Sequence, residues 1–131
     1  MAETKAKKRQ EKRNAAPAYM SLSIFSFTER GYALSKKISK VNKNAKLIGP
    51  DKVKKGGLKR EVKRIFKDGK SGNGIVFIGA TGIAIRSIAP YLKDKISDPA
   101  VVVIDERAEN AISLLSGHLG GANALTKKIA K

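Results

Sequence analysis

Two stretches of this chain, Ile75–Ile78 (IVFI) and Val101–Ile104 (VVVI), contain no polar side chain. Successive side chains of a strand point to opposite faces, so an unbroken apolar run needs cover on both sides. A sheet with one wet face would instead show alternation. Each run is followed by a turn, Gly79–Gly82 after the first and Asp105-Glu106 after the second, and then by a segment with helical character. Buried strands alternating with helices predict an α/β fold, a three-layer sandwich around a mostly parallel sheet with right-handed crossovers.

The rest of the chain supplies the remaining layers. Ser21–Phe27 is rich in β-branched and aromatic residues and reads as a first strand. Thr28 follows as an N-cap, with Glu29 favouring the helix start. Ala33, Leu34, Ile38 and Val41 then recur at helical spacing among lysines. Lys46–Ile48 reads as a short edge strand closed by Gly49-Pro50. Leu58–Lys67 is an amphipathic helix with Leu58, Val62, Ile65 and Phe66 on one side and Lys59, Arg60, Lys63, Arg64 and Lys67 on the other. Gly69–Gly74 is a turn, and Ile83–Leu92 a helix that Pro90 kinks or shortens. Asn110–Ser116 is expected as a short helix, Gly117–Gly121 as a loop and Ala122–Ala130 as a last helix. The sheet should therefore hold about four strands.

A length of 131 residues suits one compact domain with its own core. We assign it to residues 20–131, preceded by a disordered basic arm, residues 1–19, in which Lys5, Lys7, Lys8, Arg9, Lys12 and Arg13 leave little to bury. The chain has no Cys, which excludes disulfides, thiolate metal sites and a cysteine nucleophile. No apolar run approaches the roughly 20 residues of a membrane helix, and the start lacks the apolar core of a secretory signal. A cytoplasmic protein without a membrane partner is expected. The net charge of +17 favours anionic partners or, more plainly, a solubilising lysine surface.

Ligands of open parallel sheets bind beyond the carboxyl ends of the strands. At the first such end, Gly79, Thr81 and Gly82 open a helix whose exposed N–H groups suit a carboxylate or phosphate, and Arg86 lies one turn on. The loop is neither a Walker A nor a dinucleotide fingerprint, and an ordinary strand-to-helix turn explains it as well. At the second, Asp105 and Glu106 offer a base or an acceptor, although adjacent residues of an extended segment point apart. Glu106 is as readily a solvated or capping acid. The third feature is Ser116-Gly117-His118-Leu119-Gly120-Gly121-Ala122-Asn123, which holds the single His of the chain. A His in a glycine-shaped loop can titrate near neutrality and move a proton, but a lone His is commonly structural. It cannot build a structural zinc site without companion ligands.

The segments SLSIFSFTERGYALSKKI, GATGIAIRSIAPYLKDK, DPAVVVIDE and ISLLSGHLGGAN stand here in order, and together they resemble the N-terminal region of the cobalt-precorrin-5A hydrolases of anaerobic cobalamin biosynthesis. The resemblance covers most of residues 20–131. It implies an enzyme that opens the δ-lactone of cobalt-precorrin-5A and releases acetaldehyde to give cobalt-precorrin-5B. It also implies a tetrapyrrole substrate rimmed with carboxylates, no cofactor of the protein's own, and cobalt carried within the substrate. His118 and Asp105 are then the candidate bases. Gly79, Thr81, Gly82, Arg86, Ser116, Gly117, Gly120, Gly121 and Asn123 are the candidate substrate contacts. Family enzymes are longer, so a separate C-terminal domain or another enzyme of the pathway is an expected partner. The rival readings are a tetrapyrrole-holding module without catalysis, and a nucleic-acid binder using the arm and the basic helix face.

Overall fold

A computed structural model describes residues 21–68, 73–94 and 97–115. The basic arm, the segment from Ser116 onward with the expected helix at Ala122–Ala130, and most of the Gly69–Gly74 turn lie outside the described residues. The first strand, β1, is Ser21–Ser26. Helix α1 follows at Glu29–Val41, its first turn closed by Thr28, whose hydroxyl accepts the Gly31 N–H at 3.0 Å. Strand β2 is Ala45–Ile48. Two helices come next, a short α2 at Pro50–Lys54 and α3 at Gly57–Asp68. Strand β3 is Asn73–Ile78, helix α4 is Thr81–Ile88, and a single 3-10 turn covers Ala89–Tyr91. Strands β4, Ala100–Ile104, and β5, Ala111–Leu115, complete the described part.

The sheet has the order β2-β1-β3-β4-β5, with the first four strands parallel and β5 antiparallel to β4. The three-layer α/β expectation holds, with one strand more than expected. Every residue of β3 and β4 is buried, as their apolar runs require. One face carries Leu22, Ile24, Val76, Ile78, Val102 and Ile104 beneath α1. The other carries Phe25, Phe77, Val101 and Val103 beneath α3 and α4, which contribute Val62, Ile65, Phe66, Ala84 and Ile88. The rings of Phe25 and Phe77 stack at 5.2 Å at the centre of that layer. Each such side chain contributes roughly 1.5–3 kcal/mol by leaving water. The faces follow from handedness. The chain moves from β1 outward to β2, then back past β1 to β3, and right-handed crossovers in opposite directions use opposite faces.

Four local readings need correction. Asn110–Ser116 is not a helix: Ala111–Leu115 forms an edge strand, because β4 offers a free row of backbone groups and a tight loop brings the chain straight back to it. Pro50 does not merely end a strand. Its fixed φ starts α2, where its missing N–H costs nothing. The helix expected over Ile83–Leu92 begins earlier, at Thr81; its end at Ile88, ahead of a 3-10 turn, is the shortening expected of Pro90. In α1 the inward stripe is Gly31, Ser35 and Ile38, while Ala33 and Val41 face solvent.

Candidate functional site

The strand order reverses direction at β1 and β3, and the helices that follow these two strands leave to opposite faces. A crevice therefore opens between their carboxyl ends. It has a volume of about 540 Å³, and its walls are Arg30 from α1, Gly79 and Ala80 after β3, and Asp105, Glu106, Arg107, Glu109 and Asn110 after β4.

Gly79 has a φ of +151° and donates its N–H to the Ile104 carbonyl at 2.8 Å, which ties the end of β3 to the end of β4. The amino end of α4 follows. Ala80 caps it without a side-chain hydrogen bond, and its first turn holds no acidic residue. Its leading N–H groups and their partial positive charge thus meet no carboxylate from the helix itself.

Asp105 is committed to its own loop. Oδ1 accepts the N–H groups of Arg107 at 2.9 Å and Glu109 at 3.1 Å, and Oδ2 accepts that of Asn110 at 2.6 Å. The Asp105 N–H in turn donates to the Asn110 carbonyl at 3.2 Å. The Glu109 N–H foremost, with those of Asn110 and Arg107 and against an opposing desolvation, holds the carboxyl below its ordinary range. A carboxylate so stabilised is a weak proton acceptor near neutral pH. Glu106 reaches the other way. Its Oε1 accepts the Thr28 hydroxyl at 2.7 Å, which joins the end of β1 to the end of β4 across β3. Two of the three wall acids are thus engaged; Arg30 and Arg107 are the crevice cations, facing the one remaining carboxylate, Glu109, and neither arginine has an ion pair among the described residues.

The structure thus brings Gly79 and Asp105 into one crevice and sets Thr81 and Gly82 in the first turn of α4 beside it. Arg86 borders a different cleft, of about 280 Å³, with Leu58, Ile83 and Tyr91, although its guanidinium lies near Gly82. Ser116, Gly117, His118, Gly120, Gly121 and Asn123 lie outside the described residues. Leu115, the last residue before them, pairs with Val101, at the amino end of β4 and so at the opposite edge of the sheet from the crevice. The sequence reading missed Arg30 and Arg107. Arg30 was within reach of the strand-end rule, because it stands just beyond the carboxyl end of β1. Arg107 becomes a wall residue only through the curl of the Asp105 loop. Among the described residues no group of His, Cys, Asp and Glu could hold a metal ion, and no helix is long and apolar enough to cross a membrane.

The chain is 43% identical over 117 residues to cobalt-precorrin-5A hydrolase of Salmonella typhimurium, covering 84% of this chain and 32% of that protein. It is 35% identical over 117 residues to cobalt-precorrin-5A hydrolase of Priestia megaterium, covering 82% and 31%. It therefore spans about a third of the length of these relatives. A crystal structure of a cobalamin biosynthesis protein G homolog from Sulfolobus solfataricus superposes with a TM-score of 0.65 at 26% identity, over 86% of this chain and 34% of that one. The model of the family described as cobalamin synthesis G N-terminal matches residues 62–131, more than half of the chain, and the chain belongs to that family.

Proposed function

We propose that this chain is the N-terminal domain of a cobalt-precorrin-5A hydrolase, and that it holds the carboxylate rim of the macrocycle in the β1–β3 crevice. One observation supports the reading: in a member of this family, the switch-point crevice presents two guanidinium groups without ion pairs, against one uncommitted carboxylate, Glu109, beside a helix start with no side-chain cap. Arg30 and Arg107 grip carboxylates by charge-assisted, two-pronged hydrogen bonds. The α4 N–H groups, with Gly79, Thr81 and Gly82 giving the backbone close approach, receive a further oxyanion. Arg86 extends the grip along the outside of α4.

In this reading the reaction opens the δ-lactone of cobalt-precorrin-5A with loss of acetaldehyde and yields cobalt-precorrin-5B. The domain works in the cytoplasm and needs no cofactor of its own, since cobalt arrives inside the substrate. His118 takes the proton from the attacking water, and Ser116, Gly117, Gly120, Gly121 and Asn123 contact the substrate. Asp105, with its carboxylate held by three N–H groups, positions the crevice wall rather than moving the proton. The chain leaves β5 at the far edge of the sheet.

The test is a single-turnover reaction of the purified chain with cobalt-precorrin-5A, with acetaldehyde as the readout. Release that is lost in His118→Ala and kept in a folded Asp105→Asn supports these roles. Binding without release assigns this domain to substrate holding, with the missing catalytic groups on a partner. No binding at all rejects the proposal.

A further inference from the structure

A second cleft, of about 330 Å³, lies where β2 gives way to α2 and α3, and Lys46, Lys52, Lys55, Arg60 and Glu61 border it. Its single acid is already spent. Glu61 accepts hydrogen bonds from Lys46 Nζ at 3.1 Å and from Arg64 Nε at 2.9 Å, and the guanidinium closes a second contact to the same carboxylate. Burial raises the Glu61 carboxyl, but the hydrogen bonds and charges of Arg64 and Lys46 outweigh it and leave the group below its ordinary value. Lys46 shares that one carboxylate with Arg64. Lys52, Lys55 and Arg60 remain, three cations with no carboxylate partner among the described residues.

These cations are arranged by the backbone. A β-carbon at Gly57 would stand 2.6 Å from the Lys52 carbonyl oxygen, so only glycine lets α3 start this close to α2. That approach stacks the side chains of one helix beside those of the next. The Arg60 guanidinium is anchored by the Lys55 carbonyl at 3.0 Å, and Lys52 Nζ leans on the Leu47 carbonyl at 3.4 Å. The first turn of α3 has no acidic residue, so its amide dipoles add to the same field. Like charges held together in this way repel one another unless an anion joins them.

We propose that this α2–α3 cleft is a second oxyanion subsite, for a group carrying at least two negative oxygens. It lies at the carboxyl edge of β2, three strand spacings, about 14 Å, from the end of β4 that walls the crevice. An extended polycarboxylate ring would reach both, so the inference deepens the proposed function and rests on it for the identity of the ligand. A free phosphate is the other source of the same chemistry.

The experiment follows amide NMR shifts of the full chain on titration with two probes, a porphyrin octacarboxylate and inorganic phosphate, in the parent and in Lys52→Glu with Lys55→Glu. Both substituted residues are exposed, so the variant keeps its fold. Saturable shifts at Lys55, Gly57 and Arg60 that weaken about tenfold or more in the variant are expected. If the porphyrin causes them, the subsite takes ring carboxylates. If phosphate alone does, it is a site for a free oxyanion. Absence of these shifts with either probe, or unchanged affinity in the variant, overturns the proposal. Shifts in this cleft without any at Gly79, Ala80 or Asn110 would leave the subsite standing and count against the crevice as the macrocycle's seat.

Discussion

Gly79 satisfies two demands that no other residue meets together. Its φ of +151° is in a region that side chains avoid, and a β-carbon there would come within 3.3 Å of the Phe27 ring. Gly79→Ala should therefore cost about 1–3 kcal/mol, read as a lowered urea midpoint with an unchanged slope. Asp105 yields a pH prediction. Its folded pKa is depressed, so its contribution to loop order is complete above the ordinary carboxylate value. That contribution is lost as pH falls below the ordinary value and through the lower folded one. Exchange protection at Arg107, Glu109 and Asn110, measured as the ratio of intrinsic to observed rate, should hold at mildly acidic pH and fall only in that lower window. Loss of protection already near neutrality would contradict the bonding described for its carboxylate. The place of Asp105 at the end of β4 was legible in the sequence because it follows an apolar run. Its commitment to three amides was not, since those amides are aimed at it only when the following residues curl into a hairpin.

Among the elements, α1 depends on Thr28 for more than its own first turn. The hydroxyl accepts from Gly31 and donates to Glu106, so one side chain caps a helix and braces the β4 loop. Thr28→Ala should cost about 1–2 kcal/mol in thermal or denaturant unfolding, with Thr28→Ser restoring most of it. A loss no greater than a few tenths would show that the brace to Glu106 contributes nothing. The cap was legible because Thr followed by Glu ahead of a periodic apolar segment has a local mechanism. The β5 strand was not. Ala111, Ile112, Leu114 and Leu115 sit at spacings that suit a helix as well as a strand, and the choice is made by the unpaired edge of β4. Local pattern carries no information about a neighbour's free edge.

For the whole molecule, the apolar runs at Ile75–Ile78 and Val101–Ile104 were enough to predict a sheet covered on both faces. The switch point was not accessible in the same way, because it depends on β1 lying between β2 and β3. The distribution of charge also needed three dimensions. The excess of lysine and arginine reads in sequence as a uniform coat. In the fold Glu61 draws Lys46 and Arg64 into an ion-paired patch, with the unpaired cluster of Lys52, Lys55 and Arg60 beside it.

The antiparallel pairing of β4 and β5 has a consequence in time as well as in space. β4 and β5 meet across a short loop, Ile104 opposite Ala111, and a hairpin of this kind closes within about 1–10 μs. β1 must wait for β3, where Ser21 finds Asn73 about fifty residues further along, and parallel pairings over such separations are slow. As the chain emerges during synthesis, its first strand is thus made long before the β3 strand that covers its inner edge. Leu22, Ile24 and Phe25 spend that interval without their neighbours, and a lysine-rich flanking sequence that keeps nascent chains apart would protect them during it.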